Sequence, residues 1–336
     1  MALNLGDGVK GFRKDGDRTV VITQGGTELP CDMVVLSIGV KPENKLATDA
    51  GLDLGERGGI IVDERMQTSD PDIYAVGDAV EIVDFVSRTK AQIPLGGPAN
   101  RQARIAADNM LGRTASYRGT QGTAVVRVFD LTVASTGNSE KLCGRLGTDC
   151  LTTYTHSGSH AGYYPGAEMM AVKLVFTPGD GKVLGAQIIG KAGVDKRIDV
   201  IAMAIQGGMT VYDLEEAELA YAPPFGSAKD PVNIAAFAAA NTLKGDHDTV
   251  PWSRVPELQK DDAYVLVDLR SREELDEIGR IEGAVHIPMP DLRKRIGELD
   301  KSKTIIAFCQ IGLRGYVGQR ILEQNGFKAL NLAGGY

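Results

Sequence analysis

The sequence predicts a multidomain protein that combines α/β and α+β architecture, and three observations carry that expectation. Nearly continuous apolar runs at 32–38 (DMVVLSI), 59–63 (GIIVD) and 72–78 (DIYAVGD) suit strands buried on both faces, as in a parallel sheet. Residues 119–190 read as a succession of β segments, an antiparallel sheet with its own core. Beyond residue 256, strands and helices alternate in the manner of a small α/β domain. The chain has 336 residues, which at about 150 per domain allows two or three domains.

Hydrophobic content of 43% and charged content of 24% are those of a globular protein able to bury real cores. No apolar stretch approaches the ~18 residues of a membrane span. The opening MALNLGDGVK lacks the apolar core of a signal peptide, so the expectation is a cytoplasmic protein without membrane association. A net charge of −7 disfavours nucleic acid as a partner, because such binding rests on a basic surface. It leaves room for small anions held by a few local Lys and Arg. The four cysteines, Cys31, Cys143, Cys150 and Cys309, contain no C-x-x-C pair, so neither a metal site nor a disulfide scaffold is expected.

Along the chain, Lys14-Asp15-Gly16-Asp17 separates VKGFR from RTVVIT as an Asp-Gly hairpin turn. The three buried strands named above follow. Pro98 then opens a helix that runs to Leu111 and stops at Gly112. TAVVRVF, TVAST, LTTYTH, MMAVKLVF and KVLGAQIIG make the β segments, with Pro178-Gly179-Asp180-Gly181 as the turn between the last two. Helices at 195–205 and 230–243 come next. Residues 244–256 (KGDHDTVPWSRVP) carry mixed charge and two prolines and read as a linker. YVLVDLR, a charged helix, AVHIPM, a helix, TIIAFC and a helix over 314–324 complete the chain.

Gly6-Asp7-Gly8-Val9-Lys10-Gly11 matches G-x-G-x-x-G, but a dinucleotide fingerprint needs a buried strand before it and a helix after it. Here a hairpin follows, and the match is discarded. The run 68–79 (TSDPDIYAVGDA) is more informative. Gly77 permits close backbone approach, and Asp78 can accept hydrogen bonds from sugar hydroxyls. A helix opening at Pro98 aims free N–H groups and a partial positive charge at an electron-rich target. Near the C-terminus, Cys309-Gln310-Ile311-Gly312-Leu313-Arg314-Gly315 follows an apolar strand and precedes a helix. Backbone N–H groups around such a turn favour a sulfur anion, which can attack a sulfane sulfur and hold the resulting persulfide.

Residues 68–79 resemble the second FAD-binding motif of the pyridine nucleotide–disulfide oxidoreductase family, and VVLSIGVKPEN resembles that family's link from its NAD domain to its FAD domain. The resemblance implies a cofactor-binding set of Gly77, Asp78, Ala79, Pro98 and Ala99, with Asp78 on the ribityl chain of FAD and the helix facing the flavin pyrimidine edge. HAGYYPGAEMM and ELAYAPPFGSAKDPVN resemble the dimerisation domain of the coenzyme A disulfide reductase branch. Ala222-Pro223-Pro224 stands where glutathione reductase-like relatives carry a His-Pro proton donor. The branch implies a homodimer in which Tyr163 and Tyr221 reach the partner's active site. A phenol there steadies a developing thiolate by hydrogen bonding. Arg101 and Lys229 are implied as contacts to the phosphates of coenzyme A.

Residues 256–336 resemble a rhodanese domain, through VLVDLRS, GRIEGAVHIP and the Cys309 loop in that order. Cys309 and Arg314 are the implied catalytic pair there, with Asp268 and Arg270 bracing the fold and His286 structural. The expected division is 1–40 as a remnant of an NAD(P)-binding domain and 41–118 as the C-terminal part of an FAD-binding domain. A dimerisation domain at 119–244, a linker at 245–255 and a rhodanese-like domain at 256–336 follow. The first FAD fingerprint, the flavin-side cysteine and the NAD phosphate loop have no counterpart in this sequence. The resemblance therefore implies a parent activity: NAD(P)H reduces FAD, FAD reduces a cysteine, and that cysteine cleaves a coenzyme A disulfide, persulfide or polysulfide. Two alternatives stay open, an NADH oxidase or peroxidase-type flavoenzyme and a dimeric sulfurtransferase without flavin.

Overall fold

The computed structural model describes residues 2–336. Strands β1 (Val9–Asp15) and β2 (Arg18–Thr23) form the expected hairpin, with Gly16 at φ +61° in its turn. Strand β3 (Glu28–Cys31) pairs antiparallel with β2. The expected strand at 32–38 does not form. Met33, Val35, Leu36 and Ile38 are all exposed, Ile38 by 87%. A strand that is apolar on both faces holds only between hydrogen-bonded neighbours, and none of the described strands lies beside it.

Helix α1 (Lys45–Asp49) leads to a small sheet of β4 (Ile60–Ile61), β5 (Val80–Val83) and β6 (Lys90–Ala91). Residues 59–63 thus supply a short strand, parallel to β5. Residues 72–78 do not. They run back along 66–68 through one bridge, Gln67 to Tyr74, and bend at Gly77, so the regular strand begins only at Val80. Gly77 sits at φ +87°, where a strand cannot continue. Helix α2 (Gly96–Met110) starts two residues ahead of Pro98 and packs Ala106 against Met66, Val80 and Ile82.

The middle of the chain is an antiparallel sheet in the order β7-β8-β11-β10-β9. Its strands are β7 (Ala124–Val128), β8 (Leu131–Gly137), β9 (Leu151–Gly158), β10 (Met169–Phe176) and β11 (Val183–Gly190). Helix α3 (Glu140–Leu146), unforeseen from the sequence, joins β8 to β9. One face is covered by α4 (Val194–Gln206) and α6 (Pro231–Leu243), with α5 (Val211–Glu215) between them. Met170, Val172 and Leu174 alternate towards this core, where they meet Ile198, Ile201 and Ile205 of α4 and Ala235, Ala236 and Ala239 of α6. The opposite face is open around Val126 of β7, 55% exposed, and Ile189 of β11, 46% exposed.

The last domain is a five-stranded parallel sheet in the order β12-β16-β15-β13-β14. Strand β12 (Thr249–Val250), which falls inside the segment read as a linker, pairs with the far end of the chain. Then come α7 (Val255–Leu258), β13 (Tyr264–Asp268), α8 (Arg272–Ile278), β14 (Val285–His286), α9 (Leu292–Arg295), β15 (Thr304–Phe308), α10 (Leu313–Gln324) and β16 (Lys328–Leu332). Both faces are covered. Val267, Ile305 and Ala307 join one apolar cluster, while Leu266, Ile306 and Phe308 join another. Among the described residues, no helix is long and apolar enough to cross a membrane.

Candidate functional site

The central strand β15 of the last domain delivers Cys309 at its C-terminal end, where parallel sheets expose their loops to ligands. The thiol is fully buried, yet it belongs to neither apolar cluster of this domain; along β15 one of them stops at Ala307 and the other at Phe308. Gly312, at φ +96°, closes the loop and caps α10. Its N–H donates to the Cys309 sulfur at 3.2 Å.

Three carbonyls of the loop are turned outward and held there. The Cys309 carbonyl accepts from the N–H of Tyr336 at 2.9 Å. The Ile311 carbonyl accepts from Nδ1 of His156 at 3.3 Å. The Gly312 carbonyl accepts from the N–H of Tyr316 at 2.9 Å and from the Asn331 amide at 3.3 Å. Among the described residues, the amides of Gln310 and Ile311 donate to no protein acceptor. With the first turn of α10, they line the loop with free N–H groups that favour an anion. Gly315 is required where it stands, because a Cβ there would run into the side chain of Asn331.

Arg314, on the first turn of α10, forms a two-pronged ion pair with Glu274 of α8, at 2.7 and 2.5 Å. Glu274 is itself fixed by a capping box, in which Ser271 and Glu274 exchange hydrogen bonds at the start of α8. The guanidinium pulls the Glu274 carboxyl down to about 2. Glu274 first, and the Cys309 sulfur after it, raise Arg314 above the usual guanidinium range. Arg314 thus stands between a carboxylate and the thiol. Behind the loop, Arg270 and Asp268 form a fully buried pair at 2.6 Å. The Arg270 guanidinium lies 3.8 Å from the Tyr336 ring centre, and its carbonyl accepts from Nε2 of His286 at 2.9 Å.

Tyr163 and Tyr221 come together at the surface of the middle domain, with their hydroxyls 3.2 Å apart and the side chains 77% and 48% exposed. The Tyr163 hydroxyl raises the Tyr221 phenol above its usual 10. Their loops are joined underneath. Ala161 donates to the Gly226 carbonyl at 2.9 Å, and buried Arg197 links the Ser159 carbonyl to Asp230, both at 2.8 Å. Lys229 is exposed beside Asp230. Arg101 is exposed on α2, and neither cation has an ion-pair partner among the described residues.

At the third location, the Gly77 N–H donates to Oε1 of buried Gln102 at 2.7 Å, which docks the turn onto α2. A Cβ on Gly77 would lie 3.9 Å from that of Ala99. Asp78 is exposed, Ala79 half-buried and Pro98 buried, so a free carboxylate and the positive end of a 15-residue helix share one edge. That arrangement fits one side of a flavin with its ribityl chain. Among the described residues, no hydrogen bond connects this turn, the tyrosine pair and the Cys309 loop; they are three separate places in the chain.

Sequence reading assigned nothing to His156, whose partner lies 155 residues away. It also passed over Glu274, although the Ser271-x-x-Glu274 spacing was visible as a helix start.

Residues 1–103 match the family described as pyridine nucleotide-disulphide oxidoreductase, 123–231 its dimerisation domain, and 252–336 the rhodanese-like domain. A coenzyme A disulfide reductase of Staphylococcus haemolyticus is 34% identical over 221 residues, 66% of this chain and 50% of that protein. A CoA-dependent NAD(P)H sulfur oxidoreductase of Pyrococcus furiosus is 35% identical over 216 residues, 64% of this chain and 48% of its own. The chain thus spans about half the length of the curated relatives it matches. Reduced CoADR-RHD of Bacillus anthracis superposes with a TM-score of 0.91 at 48% identity, covering 98% of this chain and 58% of that one. An NAD-dependent persulfide reductase from A. fulgidus gives 0.88 at 40% identity, covering 98% and 59%.

Proposed function

We propose that this chain, which belongs to the pyridine nucleotide-disulphide oxidoreductase family and carries a rhodanese-like domain, serves an FAD-dependent NAD(P)H:disulfide oxidoreductase that couples reduction to sulfur transfer. The substrate class is a coenzyme A disulfide, a coenzyme A persulfide or a polysulfide. The observation that carries the reading is the Cys309 loop, with its carbonyls held outward and a backbone N–H on the sulfur. Such a ring stabilises both a thiolate and the terminal sulfur of a persulfide. In this role Cys309 is the nucleophile, and Arg314, held by Glu274, supplies positive charge beside it.

Asp78 and the N-terminus of α2 are the groups that would hold FAD, with Gly77, Ala79, Pro98 and Ala99 shaping the edge. When bound, FAD supplies electron transfer between NAD(P)H and sulfur. The Tyr163–Tyr221 pair presents two phenols at an exposed surface, suited to donate hydrogen bonds to a sulfur anion in a partner protomer. Lys229 and Arg101 are free to pair with the phosphates of coenzyme A. The open part of the middle sheet's face, with Val126 and Ile189, and the 94% exposed Phe129 in the turn after β7 support a homodimer.

A second reading, a dimeric sulfurtransferase without flavin, is favoured by one observation: the Cys309 site is built entirely within this chain, whereas the flavin edge is one-sided. Two measurements test these readings. Thiosulfate or polysulfide turnover is expected to vanish in Cys309→Ala, and turnover that survives overturns the assignment. A flavin absorbance spectrum in the purified chain removes the second reading.

A further inference from the structure

We infer that His156, on strand β9 of the middle domain, is a positioning residue for Cys309 in the last domain. The inference rests on the sulfur-transfer reading above and follows from a single peptide unit. The carbonyl of Ile311 and the N–H of Gly312 belong to the same planar trans peptide, so the two groups point in opposite directions. His156 holds the carbonyl through Nδ1 at 3.3 Å, and the N–H it thereby fixes points at the Cys309 sulfur at 3.2 Å. A carbonyl only accepts, so Nδ1 carries the proton.

The anchor matters at this position because the peptide is otherwise free to turn. Gly312 has no Cβ, nothing lies within 4 Å of where one would be, and its φ of +96° belongs to a region that glycine enters and leaves easily. The neighbouring loop carbonyls are held from within their own domain, Cys309 by Tyr336 and Gly312 by Tyr316 and Asn331. The carbonyl of Ile311 is held from outside.

The anchor is well founded. β9 is the edge strand of its sheet, and Thr153 and Thr155 are buried on the face that α6 covers. Tyr154 and His156 therefore stand on the other face, where Tyr154 lies beside Gly334 of the last domain. The sulfur loop thus rests on another domain's sheet, and one imidazole orients the amide that faces the thiol. The charged groups on that thiol, Arg314 and behind it Glu274, belong to α10 and α8 and are untouched by changes at His156.

The test is a titration of the Cys309 thiolate by its absorbance near 240 nm in the full chain, each variant measured against its own Cys309→Ser counterpart. In His156→Ala the midpoint is expected to rise by roughly one pH unit, the size of losing one N–H donor to an anion. His156→Asn, whose amide nitrogen can occupy the place of Nδ1, is expected to bring it back. An unchanged midpoint in His156→Ala overturns the inference. Equal shifts in the alanine and asparagine variants also overturn it, because the imidazole would then only fill an interface. The titration reads the thiol and not turnover, so an unaltered chain that fails to turn over thiosulfate or polysulfide sinks the sulfur-transfer reading separately.

Discussion

The hydroxyls of Tyr163 and Tyr221 meet at 3.2 Å although the two residues lie 58 positions apart and stand on different loops. Because the Tyr163 hydroxyl raises the Tyr221 phenol above its usual 10, Tyr163→Phe is expected to bring the Tyr221 titration back towards that value. Absorbance at 295 nm against pH reads the change, and an unaltered curve shows that the pair does not form. Under the proposed function, each Tyr→Phe change is expected to slow disulfide or persulfide reduction about tenfold or more, as for other lost donors to a developing anion.

Glu274 is held at about 2 by Arg314, well below its ordinary 4.5. A depressed carboxylate contributes stability that is present above the unfolded value and disappears as pH falls through the folded one. Glu274→Gln is therefore expected to cost about 1 kcal/mol near neutral pH, after allowance for the solvent that reaches the pair. That cost shrinks on acidification from about 4.5 towards 2. Urea denaturation of both proteins across that range measures it. A difference that grows on acidification contradicts the ion pair.

Asp268→Asn leaves the Arg270 charge buried with half its partner gone, because both side chains are essentially inaccessible to water. The expected loss is about 3–5 kcal/mol from the last domain. Calorimetry should show its melting transition falling while the middle domain, with its own buried pair of Arg197 and Asp230, melts as before.

Cys143 is pushed up to about 11, by burial and then by the neighbouring Cys150. Iodoacetamide at pH 8 should leave it unmodified in the folded chain and label it after denaturation, as read by peptide mass spectrometry. Rapid labelling of the native protein contradicts that burial.

The legible parts of the fold were those specified by local signals. The Gly16-Asp17 turn set the register of the first hairpin, and the last domain carries all its parallel strands within one stretch, so its alternation could be read directly. Residues 32–38 misled because an apolar run states a need for neighbours without supplying them. Helices α3 and α5 were missed at 7 and 5 residues, too short for a helical period to show. Their caps, Ser139 and the Thr210–Asp213 box, were readable. In the sites, Cys309 and its glycines announced themselves through spacing. His156 did not, since a side chain that serves a loop 155 residues away leaves no mark on its own surroundings.

The stretch between the middle and last domains has little slack. Asp246 is clamped by Arg320 at 2.8 Å, His247 is buried against Asn331 and Tyr316, and β12 is stitched to β16. Under the proposed function, a sulfur atom loaded on Cys309 would therefore not be carried about on a swinging arm. In that role, delivery would then fall to an acceptor that comes to the loop and leaves with the sulfur.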